Sequence, residues 1–98
     1  MKKEIRNAII KAIKESELNG YKWTITPNGL KWSYCDIAFT FEEHMETTGE
    51  TTLFVYDEYD NANVFVWYGE DKYSDCKTLP EAYYIATKSV IRKANNIY

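Results

Sequence analysis

Large apolar side chains alternate with polar ones between Tyr21 and Phe41, and no other feature constrains the fold of this chain as strongly. Such alternation is typical of a β-strand with one buried face. The turn sequence Pro-Asn-Gly at 27–29 interrupts it, because proline presets φ and the next two residues accept the positive φ of a hairpin of about three residues. We therefore predict strands over residues 21–26 and 30–41.

The second of these predicted strands changes phase part-way along its length. Its bulky residues occupy even positions as far as Tyr34 and odd positions from Ile37 onward. Because successive side chains of a strand point to opposite faces, either the bulky residues change face near Cys35 and Asp36 or a β-bulge restores the phase. The polar and acidic segment that follows, residues 42–50, is predicted to be a loop.

A second hairpin is predicted over residues 51–68. Its strands, 51–56 and 63–68, are rich in β-branched and aromatic residues, and they flank a turn rich in aspartate and asparagine. Residues 69–77 are again polar and acidic, which indicates a second acidic loop before the last element of the chain.

Two amphipathic helices flank the predicted strands, because apolar residues recur there at three- and four-residue steps. The first is predicted from Lys3 to Leu18, where an Asn-Gly pair stops it. The second begins at a capping box formed by Thr78 and Glu81 and runs to about Asn96.

The chain is therefore predicted to be a single α+β domain over residues 1–98, in the order α-β-β-β-β-α. Both helices pack on one face of a four-stranded antiparallel sheet made of two hairpins. The strands nevertheless offer bulky residues on both faces: Phe54 and Tyr56 alternate with Leu53 and Val55. Two short helices can bury only one such set, so the other is expected to form a partly exposed aromatic face unless the acidic loops fold over it.

Charge is distributed unevenly along the chain, although the net charge is only −3. Residues 1–34 carry seven Lys or Arg and three Asp or Glu, whereas residues 42–81 carry eleven acidic residues and two lysines. Residues 82–98 are basic again, with three Lys or Arg. The folded molecule is therefore expected to carry a charge dipole, the alternative being that these charges only solvate loops.

The two cysteines, Cys35 and Cys76, lack the CxxC spacing of a metal or redox site. Arg6, Lys11 and Lys14 interrupt any apolar signal-peptide core, and no apolar run approaches the roughly 18 to 20 residues that span a bilayer. These features predict a cytoplasmic protein with two reduced thiols and no membrane partner, with a disulfide as the alternative.

The sequence predicts no catalytic, metal-binding or cofactor-binding site. His44 is the only histidine, and nothing in the sequence brings it to either cysteine as the base of a nucleophilic pair. The spacing of cysteine and histidine matches no common zinc site. The acidic turn at 57–61 lacks the alternation and the glycine of a calcium-binding loop. We therefore expect no enzymatic activity.

The aromatic surplus beside abundant carboxylates favours a non-enzymatic, acidic protein-binding module. Its expected partner is a protein with a basic surface, such as a nucleic-acid-binding enzyme whose phosphate site it occupies. Small phage or mobile-element inhibitors of host-defence nucleases, including anti-CRISPR proteins, are similar in size and charge. The predicted partner-binding residues are Glu42, Glu43, Glu46, Asp57, Glu58, Asp60, Glu70 and Asp71 for charge, with Tyr56, Tyr59, Trp67 and Tyr68 as aromatic anchors.

Two alternatives use the same predicted face. An open aromatic face or an exposed strand edge could pair with a second copy in a two-fold dimer. Aromatic residues on an open sheet can also stack the bases of single-stranded nucleic acid. The acidic loops disfavour nucleic acid, because carboxylates near the face repel phosphates.

Overall fold

The chain forms five strands between two helices in the computed structural model, which describes residues 1–16, 22–47 and 49–97. The strands make one antiparallel sheet in sequence order, so each strand pairs with its neighbours along the chain. The α+β class and the terminal helices are as predicted, but the sheet has five strands rather than four. The elements are α1 (Lys3–Ser16), β1 (Trp23–Thr26), β2 (Gly29–Trp32), β3 (Ile37–Met45), β4 (Thr51–Asp57), β5 (Ala62–Tyr68) and α2 (Leu79–Ile97).

The predicted strand over residues 30–41 is two strands, β2 and β3, joined by a turn at 33–36. Asp36 adopts a left-handed conformation in this turn, with φ of 57°, and its carboxylate lies 2.9 Å from the ammonium of Lys31. The turn places Ile37 directly opposite Trp32. Directly opposed residues point to the same face, so the phase change in the sequence is the turn of a hairpin rather than a bulge.

The first four residues of the predicted loop over residues 42–50 belong to a strand, because β3 continues to Met45. Glu42 pairs with Phe54 and Glu43 with Leu53 in the β3–β4 register. A short turn then connects to β4, closed by a 2.8 Å hydrogen bond from the N–H of Glu46 to the carbonyl of residue 50. Backbone pairing with β4 therefore forms a strand where the polar composition indicated a loop.

The turn between β1 and β2 contains two residues, not three, because Gly29 already pairs with Thr26 as the first residue of β2. The expected positive φ was wrong: it occurs neither at Asn28 nor at Gly29. Gly29 serves another purpose, since a Cβ built on it would lie 2.0 Å from the carbonyl oxygen of Phe39. Its missing side chain allows β2 and β3 to approach each other closely.

Helix α1 begins at Lys3 as predicted, and α2 begins and ends within about one residue of the predicted positions. Helix α1 is described as far as Ser16, and the predicted stop signal at residues 19 and 20, like Tyr21, lies outside the described residues. At the start of α2, the hydroxyl of Thr78 donates to the carboxylate of Glu81 at 2.9 Å and accepts from the N–H of Glu81 at 3.4 Å. This geometry confirms Thr78 as the cap, whereas Glu81 reaches back to the Thr78 hydroxyl rather than to the backbone N–H that a capping box uses.

The hydrophobic core lies between the helices and one face of the sheet. Helix α2 packs across β4 and β5, and α1 packs against α2 and β1. Trp23 stacks on Trp32 with ring centroids 5.2 Å apart, and Phe41 meets Tyr83 edge-on at 5.0 Å. Within the described residues, neither helix has the length and hydropathy needed to cross a bilayer. The most deeply buried large side chains are Trp32, Ile9, Leu30, Leu53, Ile91, Val55, Val90 and Thr87.

Candidate functional site

The sheet face opposite the helices carries a group of aromatic rings. In β4 and β5 these residues alternate with side chains buried in the core, such as Leu53, Val55 and Val66, so they point away from the helices. We call this group the outer-face cluster; it consists of His44, Phe54, Tyr56, Phe65 and Trp67.

Phe54 is the centre of the outer-face cluster. Its ring centroid lies 4.7 Å from that of His44 and 5.8 Å from those of Tyr56 and Phe65. Phe65 is 59% exposed and Trp67 37% exposed, whereas the other three rings are half-buried against one another. The cluster therefore presents an aromatic surface to solvent on the β4–β5 half of the sheet. This is expected, because β4 and β5 carry bulky residues on both faces.

The loop between β5 and α2 lies along the edge of β5 and leaves the outer-face cluster open. The N–H of Asp75 donates to the carbonyl of Trp67 at 2.8 Å, and the Asp75 carboxylate accepts from the N–H of Trp67 at 2.9 Å. Cys76 forms a parallel bridge to Tyr68 beside this pair. The alternative that the acidic loops bury the aromatic face is therefore wrong for Phe65 and Trp67.

Four carboxylates stand at the end of the sheet next to Trp67. Glu46 and Glu50 belong to the β3–β4 turn, and Glu70 and Asp71 follow β5, whose end pairs with the start of β4. All four are exposed. We call these four carboxylates the acidic end.

Two grooves meet at Trp67 and Glu50. One, of about 340 Å³, runs over the outer-face cluster between Phe54, Phe65 and the β3–β4 turn. The other, of about 270 Å³, is lined by Trp67, Tyr73 and the carboxylates of the acidic end apart from Glu46. An aromatic wall beside several carboxylates is suited to a cationic side chain, which can stack on the rings and pair with the carboxylates.

Three further predicted carboxylates, those of Asp57, Glu58 and Asp60, lie at the opposite end of the sheet. Asp57 ends β4, and Glu58, Tyr59 and Asp60 form the turn to β5. Because β4 rises about 3.3 Å per residue, this turn lies about 20 Å from the acidic end. The structure therefore separates these three carboxylates from those of the acidic end, and only the acidic end adjoins Trp67.

Asp57 is bound within its own turn. Its carboxylate accepts hydrogen bonds from the N–H groups of Tyr59 at 2.9 Å and Asn61 at 3.0 Å and from the side-chain amide of Asn63 at 3.1 Å. Partial burial raises the pKa of Asp57, but the hydrogen bonds from Asn63, Asn61 and Tyr59 outweigh it, and the net pKa is lowered. Asp57 thus has a structural role in closing the β4–β5 hairpin.

Replacing Asp57 by asparagine is expected to destabilise the fold by about 1 to 2 kcal/mol at neutral pH, because the amide nitrogen that replaces Oδ2 is a donor and cannot accept from Asn63. The ionised carboxylate stabilises the native state fully above its unfolded pKa, near 3.9, and this contribution is lost as the pH falls through the lower folded pKa. Urea unfolding should show a difference between wild type and variant at neutral pH that shrinks as the pH falls below the unfolded pKa. Asp60→Asn, in the same turn, is the control expected to change little.

Glu43 and Tyr68 lie on the helix-facing side of the sheet. Glu43 accepts a hydrogen bond at 3.0 Å from the hydroxyl of Tyr83, whose pKa is raised by burial and by this carboxylate. Tyr68 is half-buried on the same side and reaches only the groove at the acidic end. By contrast, Glu42 lies on the outer face, 3.2 Å from the imidazole of His44.

The predicted partner-binding residues did not include four residues that shape this site: His44, Phe54, Phe65 and Glu50. The first three share a strand face with Tyr56 or Trp67, so the alternation along β3, β4 and β5 was the signal that would identify them. Glu50 becomes part of the site only through the tight β3–β4 turn.

The arrangement of the cysteines and the histidine offers no assembled catalytic or metal centre. His44 is on the outer face, whereas Cys76 is buried in the core on the other side, where burial raises the pKa of its thiol. Cys35 and Cys76 are both free thiols. Among the described residues, no group of three or more His, Cys, Asp and Glu side chains is placed to hold a metal ion.

Charge is sorted by layer in the folded chain. The two helices together carry seven Lys or Arg and three Asp or Glu, whereas residues 22–47 and 49–78 carry four Lys or Arg and eleven Asp or Glu.

Comparison with protein-family models, curated proteins and solved structures finds no match for this chain. Its function therefore has to be inferred from the chemistry of its surfaces.

Proposed function

We propose that this chain is a non-enzymatic protein-binding module that docks through its outer-face cluster and acidic end on a basic surface of a partner protein. The observation that carries the proposal is the position of Trp67, which lies exposed where the aromatic surface meets the carboxylates. An exposed aromatic surface of this kind marks an interaction site more often than it marks inert surface.

The two parts of the surface would act at different stages of binding. Carboxylates of the acidic end attract a positively charged partner over several ångströms and raise the association rate. Trp67 and Phe65 then supply apolar area at the centre of the contact, where large aromatic residues contribute most of the binding energy. The sheet needs no rearrangement to present either group.

The groove beside Trp67 favours arginine as the central partner residue. A guanidinium group can stack on the rings of Trp67 and Tyr73 while it donates paired hydrogen bonds to Glu50, Glu70 or Asp71. The ring of Tyr73 already has a cation above it, since the ammonium of Lys72 lies 5.0 Å from its centroid. A nucleic-acid-binding enzyme, which exposes arginine and lysine at its phosphate site, is the partner class that fits this chemistry, and docking there would inhibit it.

Charge reversal at the acidic end tests this proposal directly. Immobilised wild-type chain should capture basic proteins from a lysate that contains nucleases, and the double variant Glu50→Lys/Glu70→Lys should lose them. Asp60→Lys, a reversal at the far end of the sheet, is the matched control and should retain them. Mass spectrometry of the three eluates gives the comparison, and an eluate that is unchanged by the double reversal would contradict the proposal.

Self-association through the outer-face cluster is the second candidate function, because the cluster is exposed and its rings could stack on those of another copy. It predicts a dimer mass by light scattering at micromolar concentration that falls to the monomer mass in Trp67→Ala. A third candidate, single-stranded nucleic acid, predicts oligonucleotide binding that decreases steeply with salt. A monomer mass and a flat oligonucleotide titration leave the protein-binding function as the remaining one.

A further inference from the structure

A third groove, of about 540 Å³, lies between the outer edge of β5 and the C-terminal half of α2. It is distinct from the outer-face cluster in charge. Arg92 and Lys93 line it from the helix together with Ser89 and Asn96, and no carboxylate is among its described lining residues. The lining of this groove is therefore positively charged, although the net charge of the chain is −3.

The backbone of β5 presents hydrogen-bonding groups to this groove. The N–H and carbonyl of Trp67 point away from β4, because both bind Asp75. Backbone groups of a strand alternate in direction with a period of two, so those of Phe65 point the same way, whereas Asn63 lies at an irregularity of the β4–β5 register. The Asn63 carbonyl accepts from the Lys93 ammonium at 2.9 Å, and the Phe65 groups lie between these two occupied positions.

The chain itself shows what this edge binds. Asp75 lies alongside Trp67, where its main chain donates to the strand carbonyl and its carboxylate accepts from the strand N–H. Asp75 and Cys76 thus form a short parallel extension of the sheet, which covers β5 only at Trp67 and Tyr68. Next to this extension, Arg92 and Lys93 are placed to pair with the carboxylates of a bound segment.

We infer that this groove binds an extended acidic segment of a partner protein, which adds to the sheet at Phe65 and pairs its carboxylates with Arg92 and Lys93. Main-chain hydrogen bonds to an open strand edge give such a contact its affinity, and the flanking side chains give it specificity. On binding, Lys93 exchanges the Asn63 carbonyl for a carboxylate. The inference does not depend on the proposed function, because it uses another edge of the molecule and a ligand of opposite charge.

The test uses a fluorescein-labelled, end-blocked peptide of about eight residues in which aspartate alternates with valine, long enough to pass the groove at about 3.3 Å per residue. Fluorescence anisotropy at low salt should show binding to the full chain, and the matched peptide with asparagine in place of aspartate should bind more weakly. Arg92→Gln should weaken binding about two- to fivefold, as expected for an exposed ion pair. Lys14→Gln, on the outer side of α1, should not change it.

Phe65→Pro separates strand addition from simple anion binding. It removes the outward N–H of Phe65 and should weaken peptide binding about tenfold relative to Phe65→Ala, which removes only the ring. Hydrogen exchange of the Phe65 amide in the wild-type chain gives the same information without a substitution, since the peptide should slow it. The inference is overturned if the two Phe65 variants bind the peptide equally and the exchange of the Phe65 amide is unchanged. It is also overturned if the chain binds a single-stranded oligonucleotide as tightly as it binds the acidic peptide.

Discussion

Replacing Trp67 by alanine is expected to weaken binding to an arginine-rich peptide about thirtyfold or more. Central aromatic anchors of an interface contribute at least about 2 kcal/mol when truncated, and about 1.4 kcal/mol corresponds to tenfold in affinity. Trp67 combines three properties of such an anchor: it is 37% exposed, it borders the open aromatic surface, and it lines both grooves at the acidic end. The side chain touches a partner without first having to leave the core.

The same substitution should leave the fold largely intact. The backbone of Trp67 keeps both hydrogen bonds to Asp75, and the main consequence of truncation is exposure of Thr52, which lies opposite in the register and is buried. We expect a loss of about 1 kcal/mol in the free energy of unfolding, small enough to keep the chain native.

Fluorescence anisotropy with a labelled arginine-rich peptide measures the affinity, and circular dichroism during heating measures the stability. Tyr59→Ala is the matched control, because Tyr59 is 72% exposed but lies in the turn at the far end of the sheet. Tyr73→Ala should have an intermediate effect, since Tyr73 lines only one of the two grooves. Equal weakening by Tyr59→Ala and Trp67→Ala would show that binding is not centred on the outer-face cluster.

The sequence predicted the helices and the second hairpin because their signals are local. The start signal of α2, Thr78 and Glu81, lies within four residues, and the β-branched and aromatic runs of β4 and β5 flank a turn rich in aspartate and asparagine. The β2–β3 turn has no such signal: its four residues include neither glycine nor proline, and Asp36 alone provides the left-handed conformation. A long strand with a bulge fitted the same residues equally well, so one strand was missed.

The sequence was enough to predict that an aromatic outer face exists, but not which carboxylates lie beside it. Alternation in β4 and β5 predicts that one of two sets of bulky residues lies away from the helices, without saying which set. The structure shows that Phe54 and Trp67 belong to the outer set and that this face is open. The carboxylates could not be assigned in the same way, because Glu50 and Asp60 belong to two turns of similar composition. Only the path of the chain through the sheet places one beside Trp67 and the other about 20 Å away.

Gly29→Ala is expected to destabilise the fold by more than about 3 kcal/mol. A Cβ at this position would lie 2.0 Å from the carbonyl oxygen of Phe39 and 2.9 Å from its carbonyl carbon. Both atoms belong to the backbone of β3, so no side-chain rotation relieves the clash. β2 must move away from β3, and it would carry Leu30, buried in the core, with it.

Gly49→Ala is the control that separates steric contact from backbone conformation. Gly49 has φ of 88°, so alanine there is strained by about 1 kcal/mol, but its Cβ would point into open space. Urea unfolding should therefore rank the variants Gly29→Ala, Gly49→Ala and wild type in order of increasing stability. The reverse order of the two variants would mean that β2 and β3 are not held at this distance in solution. In that case the register that brings Leu30 opposite Phe39 would have to be revised.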